Sequence, residues 1–400
     1  MNILFLTIGK FDCINEKGIY TDLLREFKKN GHNLYVITPR EKRSNLSTEF
    51  KQEDGVNFLR VRTGNITKTN LIEKGLSTLF IEQVFLKEFK KNFRNVKFDL
   101  ILYSTPPITF EKIIKYIKTK DEARSYLLLK DIFPQNAVDL EMFSKKNLFY
   151  WFFRNKEKNL YKNSDHIGCM SDANVQFILD HNPEIPEAKV EICPNSIELI
   201  EFETNVEEID EIGAKYKIPS DKITFVYGGS LGKPQGIDFL IECLKKNVCN
   251  TEVYFLIIGS GLEFSKLKSY FDSEKPVNAK LLSQLPKEEY EKLINSCDVG
   301  LIFLDKRFTI PNFPSRLLSY MQASIPVLMA TDRSTDIGKI AEKGDFGYWC
   351  ESGDIEGFNK NIQLLCNKER RGRMGNNARA YLEEHYTVEK TYTTIMKHFQ

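Results

Sequence analysis

Long apolar runs are missing from this 400-residue chain: none approaches the length needed to cross a bilayer. Charge of one sign is missing too. The formal net charge is +2, so no global field draws the chain to nucleic acid or to a membrane, and any such attraction must be local. The eight cysteines (Cys13, Cys169, Cys193, Cys243, Cys249, Cys297, Cys350, Cys366) contain no CxxC pair, and several sit in apolar runs as small hydrophobes. Neither a zinc site nor a disulfide framework is expected, and a reducing cytoplasm fits best. The opening Met1–Ile8 lacks the length and flanks of a signal peptide and reads as a first strand. Three nucleotide and metal signatures are also absent: GxxxxGK[ST], GxGxxG and Asp-x-Asp.

What remains is a soluble globular composition, 42% hydrophobic and 28% charged, long enough for two α/β domains of ordinary size. Its organising stretch is Ile223–Leu244. β-Branched and aromatic residues give a short buried strand, which breaks into Gly228, Gly229, Gly232, Pro234 and Gly236. The chain then resumes as an amphipathic helix with Ile237, Leu240, Ile241 and Leu244 on one face. A strand turning through glycines into a helix start suits a phosphate, because missing Cβ atoms and unpaired N–H groups let an anion approach the backbone. An ordinary strand-to-helix turn would read the same way.

Strand and helix patterns alternate through both halves, which predicts parallel sheets covered on both faces. Strands are expected at Ile3–Ile8, Leu34–Thr38 (closed by Pro39), Asp99–Tyr103, Ser125–Leu129, Ile167–Ser171 and Val190–Asn195. A second set starts at Ile223, with strands at Val253–Ile258, Val299–Leu304 and Val327–Ala330, and a helix near Ser315–Ala323. The acidic run from Glu198 to Ile212 reads as the linker region. Ligands of such sheets bind at the carboxyl ends of the strands, which directs attention to the loops around Gly9, Gly18, Ser104 and Asp131. His32 lies in a turn and is expected to be structural. Between Lys145 and Lys162, aromatic and basic residues interleave. Leu148–Lys162 suits either a helix lying in an anionic membrane interface or one packed on the sheet with a basic rim.

Several of these segments resemble, in order and spacing, the family-4 retaining glycosyltransferases of the GT-B fold. The first-domain segments are Gly31-His32 before a strand, Asp165-His166-Ile167 through Ser171, and Lys189 through Pro194-Asn195. In the second half they are Tyr227–Gly236, Gly259-Ser260-Gly261, and Pro314–Met321 followed by Pro326-Val327. Lys130-Asp131-Ile132-Phe133-Pro134 looks like the Asp-aromatic-Pro segment of the branch that builds capsule, O-antigen and exopolysaccharide units. The resemblance covers nearly the whole chain. It implies an α/β GT-B architecture: two Rossmann-like doubly wound domains facing an interdomain cleft. Residues 1–200 would bind the acceptor and 201–384 the nucleotide sugar, with 385–400 a C-terminal helix crossing back to the first domain.

The function implied is retaining, metal-independent sugar transfer from a nucleotide-diphosphate donor, UDP-linked in this reading, to a lipid-linked saccharide. The setting would be the cytoplasmic face of a bacterial inner membrane, with no cofactor, no metal ligand and no nucleic-acid partner. Donor contacts would come from Gly228, Gly229, Ser230, Gly232, Gln235, Gly236, Gly259, Pro314, Ser315 and Ser319. Lys233 and Arg316 would stabilise the departing diphosphate, and Asp131 would orient the acceptor or assist its proton transfer. Gly18, Ser104 and Thr105 would shape the acceptor pocket. Solvated surface charge competes for Lys233, and a turn or helix-cap role for Asp131. The chain departs from the family at two glutamates, replaced by Pro311 and Ser319, and in a phosphate loop with Gly229 and Gln235 where an Arg and a Lys are common. Asp305, Asp332 and Asp336 lie near in sequence without further support as substitutes. Two other functions stay open on these departures: a nucleotide-sugar epimerase on the same fold, and a catalytically impaired scaffold in a polysaccharide-synthesis complex.

Overall fold

A computed structural model describes residues 1–66, 71–200 and 206–399. The chain divides into two compact units, Met1–Glu198 with Val388–Gln400, and Leu199–Thr387. The first unit begins with β1 (Asn2–Leu6), α1 (Ile19–Lys29), β2 (Asn33–Glu41), β3 (Glu49–Glu53), β4 (Val56–Thr63) and α2 (Leu71–Asn92). It continues with β5 (Leu100–Ser104), α3 (Glu111–Asp121), β6 (Arg124–Leu128), α4 (Gln135–Asp139), α5 (Leu148–Asn163), β7 (His166–Cys169), α6 (Asp172–His181) and β8 (Val190–Ile192).

Its eight strands lie in the order β3-β4-β2-β1-β5-β6-β7-β8, and only β3 runs antiparallel to its neighbour. The central strands are buried on both faces, which is why they read as continuous apolar runs and not as alternation. The edge strand β3 is charged and exposed, a composition that discourages pairing with another chain. β2 continues past Pro39, where closure was expected. β1 stops pairing at Ile37, so Pro39 lies where the strand has lost its neighbour on that side and the missing N–H is tolerated.

The second unit runs α7 (Val206–Lys215), β9 (Ile223–Ser230), α8 (Ile237–Lys246), β10 (Val253–Ser260), α9 (Phe264–Glu274), β11 (Ala279–Ser283) and α10 (Lys287–Ile294). Then come β12 (Val299–Phe303), α11 (Arg316–Gln322), β13 (Val327–Thr331), α12 (Ile337–Lys343), β14 (Gly347–Glu351), α13 (Ile355–Leu365) and α14 (Lys368–His385). All six strands are parallel, in the order β11-β10-β9-β12-β13-β14. Successive strands step outward from β9 on one side, and the chain then returns to build the other. The turn after β9 therefore sits at the topological switch point, where open α/β sheets bind ligands.

The run expected as a linker is helical from Val206; residues 201–205 lie outside the described residues. Its alternation of Ile209 and Ile212 with acids is an amphipathic pattern, and its charge alone was the misleading signal. The final helix, α15 (Val388–Met396), belongs to the first unit and packs on α1, placing Ile395 and Met396 in one core with Leu23, Leu24 and Phe27. Tyr392 sits edge-on to Phe27, and its hydroxyl lies 3.0 Å from His32 Nε2, so His32 is a packing residue. His398 closes the chain end, stacked on His166 and 2.7 Å from Glu191 Oε1.

Candidate functional site

In the second unit, the glycine turn stands on two close backbone approaches. A Cβ at Gly259 would lie 2.0 Å from the Gly229 carbonyl, and one at Gly228 would lie 1.8 Å from Tyr290 Oη. Only glycine lets the ends of β9 and β10 meet here, with Tyr290 tucked beneath. Gly228 N donates to Tyr320 Oη at 3.1 Å, and Tyr227 Oη donates to the Ser230 carbonyl at 2.7 Å. Gln235 Oε1 accepts from Gly232 N at 3.0 Å and closes the loop from within. Gly229, Ser230 and Lys233 are exposed, Gly232, Pro234, Gln235 and Gly236 are partly so, and only Leu231 is buried. Gly236 precedes α8 without a side-chain cap; Phe239 N turns back to the Gly236 carbonyl at 3.0 Å, which leaves Ile237 and Asp238 as the outward amides of the first turn.

Arg316 opens α11 beside this loop. Its guanidinium lies 4.2 Å from the centre of the Tyr227 ring, and Nη2 is 3.5 Å from where a Gly229 side chain would start. Nη1 is buried with no hydrogen-bond partner, and no carboxylate pairs with this arginine among the described residues. The surrounding phenols cannot neutralise it. Burial raises the pKa values of Tyr227 and Tyr290 and pushes Tyr320 up to about 12, so all three are uncharged at neutral pH. A cation with a spare buried donor, beside the exposed Gly229 and Ser230, suits an anion that arrives from outside.

The other second-unit candidates are placed less tightly. Ser315 is exposed, while Pro314 and Ser319 are half-exposed on the same segment. Lys233 forms no ion pair among the described residues. Asp305 is held by Arg307, and Asp332 is buried under the Thr335 hydroxyl and the amides of Ser334 and Thr335. Desolvation pushes Asp332 up to about 6 against those hydrogen bonds.

At the carboxyl edge of the first unit, Ser104 Oγ lies 3.3 Å from Thr7 Oγ1, and both residues are buried. Thr105 Oγ1 accepts from the amides of Lys130 and Asp131 and lies 3.1 Å from the Asp131 carbonyl, tying the end of β5 to the turn after β6. Gly18 N donates to Asp22 Oδ1 at 2.8 Å where α1 starts. These three hold loops in place. Asp131 is half-exposed, and the Asn136 amide nitrogen reaches its carboxylate oxygens at 2.8 and 3.0 Å. Lys130 reaches across the end of β7, with Nζ 3.3 Å from the Cys193 carbonyl. Desolvation pulls its ammonium down to about 8.

Residues 208–381 match the family model described as Glycosyl transferases group 1. Over 322 residues the chain is 23% identical to the probable glycosyltransferase WbjE of Pseudomonas aeruginosa, covering 80% of this chain and 78% of that one. The protein is a glycosyltransferase. Its architecture is similar to that of sucrose-phosphate synthase from Thermosynechococcus elongatus, with a TM-score of 0.76 at 13% identity over 100% of this chain and 98% of the other. It also resembles Anabaena HepE in complex with UDP, with a TM-score of 0.69 at 15% identity over 100% and 99%. The transferase thus has the GT-B fold its sequence resembles, with two parallel-sheet Rossmann-like domains.

Three tyrosines of the transferase escaped sequence reasoning: Tyr227, Tyr290 and Tyr320 form the floor under the glycine loop. Tyr227 and Tyr320 lie inside the segments that carried the resemblance, but nothing in their spacing says that they meet. Lys130 and Asn195 were also passed over as site residues, although both belong to those segments.

Proposed function

We propose that the second unit binds a nucleoside-diphosphate sugar, UDP-linked, with the diphosphate against Gly229–Gly236 and Arg316. The observation that carries this is the buried guanidinium with its unpartnered Nη1 beside the glycine turn. As the glycosidic bond breaks, negative charge grows on the leaving diphosphate. The first-turn amides of Ile237 and Asp238 and an arginine stacked on Tyr227 stabilise that charge without reorganising. In this reading they do the work that a bound divalent ion would otherwise do. Lys233, exposed on the loop, adds a mobile charge. Ser319 offers a hydroxyl to the ribose where the family places a carboxylate. The sugar passes with retained configuration to a lipid-linked saccharide, whose hydroxyl loses its proton to a donor phosphate oxygen while Asp131 assists. Calorimetry with UDP and GDP tests the donor reading. UDP should bind the native chain and bind Arg316→Met about 10- to 100-fold more weakly, the value of a charge-assisted hydrogen bond or two. Binding of neither nucleotide would favour a scaffold and rule out this transfer mechanism.

A lipid-linked acceptor calls for a membrane contact, and the start of α5 supplies one in this reading. Leu148 is 85% and Trp151 61% exposed, with Phe149, Phe152 and Met142 also exposed and Lys145 and Lys146 beside them. Further along α5 the charges are paired within the fold: Arg154 holds Glu157 and Asn182, Lys156 pairs with Glu111, and Lys158 with Glu184. The contact therefore shifts from Leu148–Lys162 to Met142–Phe152, with aromatic rings entering an anionic lipid surface and the two lysines at the headgroups. No helix among the described residues is long and apolar enough to cross a membrane. Co-sedimentation with phosphatidylglycerol vesicles should fall about tenfold or more in a Phe149→Ser, Trp151→Ser double variant. Unchanged sedimentation would remove the contact.

A further inference from the structure

The carboxyl edge of the first unit holds a polar pair that the donor chemistry does not use. Lys130 leaves β6, crosses the end of β7 and sets Nζ against the carbonyl of Cys193, the residue just after β8. That long 3.3 Å contact is the side chain's one hydrogen bond among the described residues, and no carboxylate there lies within ion-pair distance. An ammonium carries three donors, so two are left over. The thiols of Cys169 and Cys193 beside it are kept protonated by burial, which raises both pKa values, so they supply no counter-charge. Two residues further along the same loop, Asn195 is 6% exposed, and its Oδ1 is buried with no hydrogen-bond partner. Unpartnered oxygens occur elsewhere, on Thr63, Asn136 and Gln322 for example, but Asn195 lies on the loop whose Cys193 carbonyl meets the Lys130 ammonium.

We infer that Lys130 and Asn195 together bind the hydroxyl groups of a neutral saccharide. The complementarity is specific. A carboxylate or a phosphodiester would accept from Lys130 but has no proton to give Asn195 Oδ1, whereas a sugar hydroxyl accepts from the ammonium and donates to the amide oxygen. Two hydroxyls of one saccharide would satisfy both residues, and an unpaired buried carbonyl penalises ligands lacking that O–H. Lys130 directly precedes Asp131 in the chain, so a bound ring would place another hydroxyl near that carboxylate. This deepens the transferase reading by naming acceptor-side recognition residues, and it rests on that reading for calling the saccharide an acceptor.

Saturation-transfer NMR of the full chain with methyl glycosides of glucose, galactose and N-acetylglucosamine tests it, with and without UDP. At least one glycoside should receive saturation from the native chain. The effect should weaken about tenfold in Lys130→Met and in Asn195→Leu, as for loss of one hydrogen bond to a charged or buried group, and acetate should not displace it. Native protein giving no signal with any glycoside would mean that water fills the position, and would overturn the inference. Displacement by acetate, or signals unchanged in a folded variant, would overturn it equally. The measurements on the native chain stand if a variant fails to fold. Loss of UDP binding with glycoside binding intact would sink the donor reading alone.

Discussion

The two parallel sheets end in edges built from opposite materials. At the carboxyl edge of the second unit the working surface is main chain. Glycines at 228, 229 and 259 remove side chains until one backbone touches another, and a rigid arginine stacks on Tyr227 behind it. At the first unit's edge the backbone is tied off by Thr105, and the groups left over are side chains, Lys130 and Asn195. Each edge keeps one half-buried cation, Arg316 or Lys130, with no carboxylate partner among the described residues. The guanidinium presents a planar fork suited to phosphate oxygens, and the ammonium a compact group that swivels to hydroxyls. One sheet architecture therefore carries two chemistries, and the loops decide which.

The comparison is broken most severely at Gly259. Alanine there meets the Gly229 carbonyl, a backbone atom that cannot swing aside, so Gly259→Ala should cost about 2–4 kcal/mol of stability. UDP affinity should drop by roughly 100-fold, since the loop must move away from Arg316. Calorimetry and denaturant melts measure both, and glycoside binding to the first unit should survive. Less drastic is removal of each cation. Arg316→Met and Lys130→Met each replace a desolvated, uncompensated charge by an apolar chain of similar reach. Both should melt at the same temperature or higher, by about 1 kcal/mol, while each loses its own ligand. A fall in melting temperature for either would show that its charge is compensated within the fold.

The smallest effect is a slope. Burial pushes Glu157, on the inward face of α5 beside Arg154 and Tyr161, up to about 7. A carboxyl raised above its unfolded pKa holds a proton that the unfolded chain has lost, so its contribution to stability is present below about pH 4.5. That contribution fades as pH rises through about 7. Glu157→Gln should flatten the decline in melting temperature across that window. An unaltered profile would place the titration elsewhere.

Much of this was legible without coordinates. The glycine stretch at 228–236, the buried strands and the strand–helix alternation all follow from local rules: missing Cβ atoms, continuous apolar runs, a helix face repeating every three to four residues. Arg316 was legible as a candidate because it opens a helix after Pro314. Illegible were Tyr290, which reaches Gly228 from 62 positions away in the chain, and the meeting of Lys130 with Cys193 across β7. α5 was ambiguous because its first turns and its last turns do different things, and a composition average blurs them. The helix at Val206–Lys215 was hidden by its acidity.

What the sequence determined by itself was where the backbone could bend, where it had to be buried, and which side chains stood at strand ends. These depend on near neighbours in the chain. Which cation goes unpaired, which carbonyl is left without a donor and which rings are left in the open were decided only on folding. Burial and pairing are properties of residues brought together from distant positions, and no local pattern records them.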